Sequence, residues 1–212
     1  MKYKALFLDL DGTILDTLHD LAVAVNFSLK LHGFKERSIE EVRTFIGHGS
    51  VHLITKAIGE EVNDELFNQI FNDYKSYYKD HAAVYTTIYP RMKEILQKFI
   101  DNGGKLILIT NKPHDISVNL MEHYFPNMFT DIYGNQALYL VKPDPTSCFL
   151  ALKNNNLDKK DVLYLGDSLV DEQTAKNAGL DYLLCLYGLE DKEKLVDKPV
   201  ISSPIELEKY LF

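Results

Sequence analysis

The sequence predicts an α/β protein with a doubly wound parallel sheet and a set of helices inserted after the first strand. The sheet is predicted by three short apolar runs, at residues 5–8, 105–109 and 161–165, which are separated by segments of helical periodicity. Continuous apolar runs of this length are typical of strands buried on both faces. From Asp16 to about Val84 the pattern is helical and contains no convincing strand. We therefore predict a core domain of residues 1–15 and 85–212 and an all-helical cap domain of residues 16–84.

The predicted cap consists of four helices. The first carries an apolar stripe over residues 18–29 and is followed by Gly33, a residue type that is common just after a helix. Residues 38–41 match the capping box with which many helices begin. A third helix is expected over residues 51–58, and a fourth carries the apolar and aromatic positions of residues 66–78.

The core continues after the cap with alternating helices and strands. A helix opens at Tyr89-Pro90 and closes at Gly103-Gly104, before the strand at residues 105–109. The remaining predicted elements are, in order, a helix around 116–121, a short strand at 131–133, a rigid loop at 142–145, a helix at 147–153, the strand at 161–165, a helix through 175–178, a strand at 182–186, an edge strand at 200–201 and a final helix.

Composition and charge argue against several classes of partner. A net charge of −8 over 212 residues disfavours nucleic acid, whose phosphate backbone is bound by basic surfaces. No apolar run approaches the roughly 20 residues that a membrane span needs, and the run after Met1 is broken by Asp9, well short of a secretory signal. Cys148 and Cys185 have no metal-ligand spacing. We expect a cytoplasmic protein without nucleic-acid or membrane partners, either a monomer or a homodimer.

Polar residues stand at the ends of the predicted buried strands. Asp9 and Asp11 follow the first run, Thr110 follows the second, and Asp167 follows the third. Residues two apart on an extended strand point the same way, so Asp9 and Asp11 can face one site. Because ligands bind beyond the carboxyl ends of parallel strands, these side chains are expected around one crevice.

The crevice is expected to be strongly acidic. Asp171, a turn beyond Asp167, brings the acids to four with Asp9 and Asp11, and Lys142 alone cannot neutralise them. A divalent cation is therefore expected, and carboxylate and carbonyl oxygens suit Mg²⁺. Asp171 also has an alternative interpretation, as an ordinary first-turn acid that complements the helix dipole.

Four motifs resemble, in order and spacing, those of the haloacid dehalogenase superfamily. They are Asp9-Leu10-Asp11-Gly12-Thr13, Thr110-Asn111, Lys142-Pro143 and Gly166-Asp167-Ser168-Leu169-Val170-Asp171. Residues 45–49, 110–113 and 175–179 are similar, more narrowly, to the phosphoglycolate phosphatase branch of that superfamily. The resemblance implies a Rossmann-like core with a helical cap.

The resemblance also implies phosphoryl transfer to a carboxylate and gives each residue a role. Asp9 would be the nucleophile that forms an aspartyl-phosphate, and Asp11 the general acid for the leaving alkoxide and then the base for water. Thr110 would bind the transferring phosphoryl group, although a strand-end threonine can instead cap the next helix. Lys142 would orient Asp9 and screen the phosphate charge. The Mg²⁺ ligands would be Asp9, the backbone carbonyl of Asp11, Asp167 and, directly or through water, Asp171.

The helical cap is expected to shield the site from water and to recognise the leaving group. Its loop Gly47-His48-Gly49 would face the site, because glycines allow the backbone to approach a small substrate closely. Arg43, His48 and Lys56 are candidates for binding a substrate carboxylate, and Arg43 and Lys56 have the alternative interpretation of solvated cap charges. The further residues expected to bind substrate are Gly12 and Asn111.

Two features depart from the family pattern. Arg91 stands where relatives often have glycine, which indicates a different cap hinge. The segment from Gly134 to Val141 is rich in large apolar residues where relatives are often polar, which is consistent with an interface or a differently shaped edge.

The main functional hypothesis is a Mg²⁺-dependent phosphomonoester hydrolase acting on 2-phosphoglycolate or a similar small phosphorylated metabolite. The alternatives within the superfamily are a sugar-phosphate mutase resembling β-phosphoglucomutase, a pyrophosphatase and a nucleotidase. From a different class, the chain could be a non-catalytic phosphate-sensing or partner-binding module on the same scaffold. The complete set of Asp9, Asp11, Lys142 and Asp167 argues against that module.

Overall fold

The structure, a computed structural model, describes residues 1–136 and 141–212. Its strands and helices are, in chain order, β1 (Ala5–Leu8), β2 (Leu15–Asp16), α1 (Leu18–Leu31), α2 (Ile39–Arg43), α3 (Ser50–Ile58), α4 (Asp64–His81), β3 (Thr87–Ile88), α5 (Met92–Asp101), β4 (Lys105–Pro113), α6 (His114–Tyr124), β5 (Phe129–Asn135), α7 (Thr146–Asn154), β6 (Val162–Gly166), α8 (Leu169–Ala178), β7 (Asp181–Cys185), β8 (Val200–Ile201) and α9 (Glu208–Leu211). Within the described residues, six parallel strands form one sheet in the order β5-β4-β1-β6-β7-β8.

Side chains of β1 alternate between two apolar layers, one on each face of the sheet. Leu6 and Leu8 are buried in the layer that includes α5 and α6, and Ala5 and Phe7 are buried in the layer that includes α7 and α8. Helices therefore cover both faces, which is why the strands read as continuous apolar runs. The predicted doubly wound α/β class is confirmed.

The carboxyl ends of the central strands lie at one edge of the sheet. Leu8 of β1 pairs in register with Leu108 of β4 and with Leu165 of β6. Asp9 is the next residue after Leu8, whereas Thr110 and Asp167 each come two residues after the partner of Leu8 on their own strand. This arrangement brings the three side chains to one crevice, as the sequence predicts.

Two boundaries within helices α1 to α4, which we call the helical insertion, lie at the predicted signals. Ser38 and Glu41 form the capping box of α2, with each side chain bonded to the other residue's backbone N–H. After α1, Gly33 adopts a left-handed backbone with φ +76°, and the N–H of Phe34 donates to the Leu29 carbonyl at 2.9 Å. These bonds satisfy the last carbonyls of the helix. Within residues 1–136 and 141–212, each helix is too short or too polar to span a lipid bilayer.

The two linkers between the insertion and the sheet pair with each other as β2 and β3. Leu15 pairs with Ile88 and Asp16 pairs with Thr87, in antiparallel orientation. The prediction of no strand from Asp16 onward is therefore wrong at its first residue, because a two-residue strand has no periodicity to detect. The division into separate core and cap domains at residue 16 and residue 85 stays a prediction.

Of the two departures noted in the sequence, the structure describes one. Arg91 adopts a left-handed backbone with φ +68° just before α5. A non-glycine side chain in this conformation costs about 1–2 kcal/mol, so glycine would fit this backbone with less strain. The different cap hinge expected from Arg91 stays a prediction. The apolar Leu138, Tyr139 and Leu140 of the other segment lie outside the described residues.

Asp20 fixes the first helix of the insertion to the linker that returns to the sheet. Its buried carboxylate accepts hydrogen bonds from the backbone N–H groups of Val84, Tyr85 and Thr86, and from the Thr86 hydroxyl at 2.7 Å. Three backbone donors of an otherwise irregular segment are satisfied by this one side chain.

The Asp20→Asn substitution is expected to lower the free energy of unfolding by about 2 kcal/mol. The shape is kept, but an amide nitrogen would replace an acceptor that faces backbone N–H groups. Urea denaturation would measure the change, with Asp80→Asn on the exposed face of α4 as the control for the lost charge. Equal unfolding midpoints for the two variants would contradict a stabilising role for the hydrogen bonds of Asp20 to the linker.

Candidate active site

Asp9 contacts a buried lysine at the end of β1. Its Oδ1 lies 2.8 Å from Lys142 Nζ, which also lies 2.7 Å from Asp171 Oδ1. The Asp9 backbone N–H donates to the Leu165 carbonyl at 2.9 Å, which fixes the strand end beside β6. Burial alone would lower the pKa of Lys142, but the charges of Asp171 and Asp9 outweigh it and raise that pKa. Lys142 is therefore held as an ammonium between two carboxylates.

Asp171 uses both carboxylate oxygens within the protein. Oδ1 accepts from Lys142 and from the Tyr164 hydroxyl, at 2.7 and 3.1 Å. Oδ2 accepts from the Ser168 hydroxyl at 2.6 Å and from the backbone N–H groups of Ser168 and Asp167, which forms the capping box of α8. The helix-start interpretation of Asp171 thus fits the structure, and its predicted contact with a metal ion stays a prediction.

Asp167 is enclosed by glycines at the end of β6. Its Oδ2 accepts the Leu189 backbone N–H at 2.6 Å. A Cβ on Gly12 would overlap the Asp167 carboxylate, and Gly12 also has φ +79°, so both space and backbone conformation require glycine there. The structure thus places Gly12, a predicted substrate-binding residue, as the residue that leaves room for Asp167.

The acids form a buried cluster that fits a divalent metal ion. One carboxylate oxygen from each of Asp9, Asp167 and Asp171 lies within 4.8 Å of the others. Burial raises the pKa of Asp9 to about 7 despite the nearby Lys142. Burial, followed by the charges of Asp171 and Asp9, raises the pKa of Asp167 well above its usual range. The contacts of Asp9 with Lys142 and of Asp167 with Leu189 each use one oxygen, so these two acids suit a hard cation as ligands.

A second buried lysine, which the sequence analysis did not include in the site, contacts Asp11. Lys112 Nζ lies 2.8 Å from Asp11 Oδ1, and the Thr17 hydroxyl donates to the same oxygen. Two lysines rather than one therefore face the acids, and the four carboxylates still outnumber them. β4 continues four residues beyond the predicted Ile109 and carries Lys112 into the site. The sequence did contain a signal for Lys112, because this lysine lies in the Thr-Asn-Lys-Pro segment, residues 110–113, that is similar to the phosphoglycolate phosphatase branch.

Thr110 and Asn111 have different surroundings in the crevice. The Thr110 hydroxyl accepts the Lys112 backbone N–H at 3.3 Å and keeps its own proton to donate. The alternative in which Thr110 caps the next helix is wrong, because α6 begins at His114 with Pro113 before it.

The Asn111 side chain links three segments that surround the crevice. Its amide nitrogen donates to the carbonyls of Gly47 and Lys142, and its oxygen accepts the Lys142 backbone N–H at 2.7 Å. Asn111 therefore holds the lysine loop and the glycine loop of the insertion together. Its predicted contact with substrate stays a prediction.

A cavity of ≈ 210 Å³ lies over the acids, between the sheet edge and the insertion. Arg43 and the predicted loop Gly47-His48-Gly49 line it, and the Arg43 guanidinium donates to the Leu189 carbonyl at 3.4 Å. Lys56 is exposed outside the lining, in keeping with the solvated interpretation. The loop after β7 also lines the cavity through Leu189, Glu190, Asp191 and Lys194, and no sequence signal identified it.

The parallel sheet and the acids at its carboxyl edge define an α/β enzyme with an acidic, metal-suited site. The chain belongs to the haloacid dehalogenase-like hydrolase family, whose model matches residues 6–185. It is thus a hydrolase, and its phosphatase relatives place it in the phosphatase class, as the resemblance implied.

Individual relatives support the narrower resemblance. The chain is 32% identical over 190 residues to a phosphoglycolate phosphatase of Pseudomonas syringae pv. tomato, covering 87% of this chain and 70% of that protein. It is 31% identical over 201 residues to a phosphoglycolate phosphatase of Vibrio cholerae, covering 92% and 89%. A crystal structure of a candidate phosphoglycolate phosphatase from Lactobacillus delbrueckii subsp. bulgaricus superposes with a TM-score of 0.92 at 27% identity, covering 100% of this chain and 99% of that chain.

Proposed function

We propose that this protein is a Mg²⁺-dependent phosphomonoester hydrolase that acts through an aspartyl-phosphate, on 2-phosphoglycolate or a similarly small phosphorylated acid. The observation that carries the proposal is the pairing of Asp9 with Lys142 beside Asp167, with Asp11 two residues further on. This set supplies a nucleophile, a cation beside it, a metal ligand and a second acid in one crevice.

The first half-reaction forms the covalent intermediate. An Asp9 carboxylate oxygen attacks phosphorus, the bond from phosphorus to the ester oxygen breaks, and its electron pair stays on that oxygen, which takes the proton of Asp11. The Thr110 hydroxyl and the Lys142 ammonium bind the equatorial oxygens, where charge gathers. The products are the alcohol, the Asp9 acyl-phosphate and the Asp11 carboxylate.

The second half-reaction restores the enzyme. Asp11 takes a proton from water, the water oxygen attacks phosphorus, and the bond from phosphorus to Asp9 breaks with its electron pair returning to the carboxylate. Inorganic phosphate leaves, and Asp11 is protonated for the next cycle. Bound by Asp9, Asp167 and the Asp11 carbonyl, Mg²⁺ would offset the acidic charge that otherwise repels a phosphate dianion.

Cavity size and charge support a small anionic substrate. The ≈ 210 Å³ cavity is smaller than the roughly 300–1,000 Å³ typical of pockets for drug-sized ligands. Arg43 and His48 on the insertion side offer cationic or hydrogen-bonding groups for a carboxylate. The phosphoglycolate phosphatases among the relatives support the same substrate.

Phosphate release from 2-phosphoglycolate is expected to require Mg²⁺ and to fall by more than about 100-fold with a chelator. The panel would include a hexose phosphate, a nucleoside monophosphate and pyrophosphate, each with Mg²⁺ and with chelator. The highest kcat/KM is expected for 2-phosphoglycolate, because the other compounds are larger or lack a carboxylate. Undiminished turnover in chelator would contradict the metal proposal, and preference for a nucleotide or hexose phosphate would contradict the proposed substrate.

A further inference from the structure

The Lys112 ammonium is enclosed between the sheet and the insertion. Its side chain is 2% exposed, its Nζ lies 2.8 Å from Asp11 Oδ1, and the same Nζ lies 4.6 Å from the centre of the Tyr78 ring of α4. A buried ammonium on an aromatic face with one carboxylate partner has little freedom to move. Among the described acids that line the cavity, the one that Lys112 contacts is therefore Asp11.

The contacts of Asp11 distinguish its two oxygens. Oδ1 accepts from both Lys112 Nζ and the Thr17 hydroxyl, and Thr17 is fully buried. An oxygen that already accepts two donors has no geometry left for holding a transferable proton toward a substrate. Oδ2 is the oxygen that remains for a ligand in the cavity that Asp11 lines.

We propose that Lys112 is a positioning residue for the general acid: it holds Oδ1 of Asp11 so that Oδ2 delivers the proton to the leaving oxygen of the ester. This inference rests on the proposed function, in which Asp11 is that acid. The contribution of Lys112 then belongs to one bond-breaking event, the departure of an oxygen that must be protonated as it leaves.

A different role for the same cation would be to bind the phosphate directly, since Lys112 also lines the cavity. The two roles differ in how they depend on the leaving group. A phosphate-binding lysine contributes to every substrate that carries a phosphoryl group. A lysine that positions the acid contributes to an alkyl ester, whose alkoxide is a poor leaving group, and little to an acyl phosphate, whose carboxylate leaves without a proton.

The test compares 2-phosphoglycolate with acetyl phosphate, two small substrates that differ in this respect. The quantity to compare is kcat/KM, because it reports only the steps up to leaving-group departure and excludes hydrolysis of the aspartyl-phosphate. Lys112→Met is expected to lower kcat/KM about 100-fold for 2-phosphoglycolate and less than about tenfold for acetyl phosphate. Thr110→Val, which removes the hydroxyl proposed to bind the phosphoryl group, is the matched control and is expected to lower both values alike.

Thr17→Val provides a second route to the same answer. It keeps the shape of the side chain, removes only the other donor to Asp11 Oδ1, and is expected to show the same selectivity with a smaller loss. Equal losses for both substrates in Lys112→Met, or no loss for either, would overturn the positioning role while leaving the hydrolase proposal intact. A wild-type protein that releases phosphate from neither substrate would overturn both proposals.

Discussion

Replacing Asp9 with asparagine is expected to lower turnover by about 10⁴-fold or more. The amide cannot form the acyl-phosphate, and the remaining groups can only bind and polarise the ester. The geometry around the position should survive, because asparagine has the same shape and Lys142 keeps its contact with Asp171. Steady-state phosphate release from 2-phosphoglycolate would measure the loss.

Two controls separate lost chemistry from lost structure. Asp181→Asn makes the same change at the exposed start of β7 and is expected to keep full activity. Calorimetry with inorganic phosphate in the presence of Mg²⁺ should still detect binding to the Asp9→Asn protein. Turnover retained in that variant would rule out the covalent mechanism, since Asp171, the other described carboxylate on Lys142, has both oxygens occupied by donors of the protein.

The largest expected effect on stability follows from Lys142→Met. Methionine nearly matches the volume of the side chain, but Asp9 and Asp171 would remain buried without the ammonium that lies 2.8 and 2.7 Å from them. Breaking a buried ion pair from one side costs about 3–5 kcal/mol, because an uncompensated charge is left behind. Urea denaturation would give the change in the free energy of unfolding.

A partner variant and a surface variant control this measurement. Adding Asp171→Asn to Lys142→Met removes one of the stranded charges and is expected to recover part of the lost stability. Lys176→Met removes a half-exposed lysine from the buried Glu172, which keeps its contact with Lys198 at 3.0 Å, and is expected to cost less than about 1 kcal/mol. Similar costs for the two lysines would show that Lys142 is not held by charge as described.

The sequence predicts the residues of the site that follow an apolar run directly, because one rule of sheet geometry then places them. Asp9, Thr110 and Asp167 each follow an apolar run, and parallel strands bring such positions to one edge. No contact between distant segments is needed to make that prediction. Whether Asp171 and Thr110 act at the start of a helix depends on the residues at which α8 and α6 begin. Helix propensity alone does not locate a helix start to within one residue.

The parts that the sequence does not predict depend on contacts between distant segments. Lys112 enters the site because β4 continues through an irregular register beside β5 as far as Pro113. Leu189 reaches the site because its N–H meets the Asp167 carboxylate 22 positions away. Asp20 appears in the sequence as an ordinary first-turn acid, although its partners are the backbone of Val84, Tyr85 and Thr86.

The paired linkers β2 and β3 limit how the helical insertion can be displaced from the sheet. Two independent single chains would permit twist, shear and bending alike, whereas an antiparallel ladder resists relative sliding and twisting of its strands through its hydrogen bonds. Bending across the ladder is the softest deformation that remains. Any displacement of the helical insertion away from the crevice is therefore expected to be mainly a bend across this two-pair ladder.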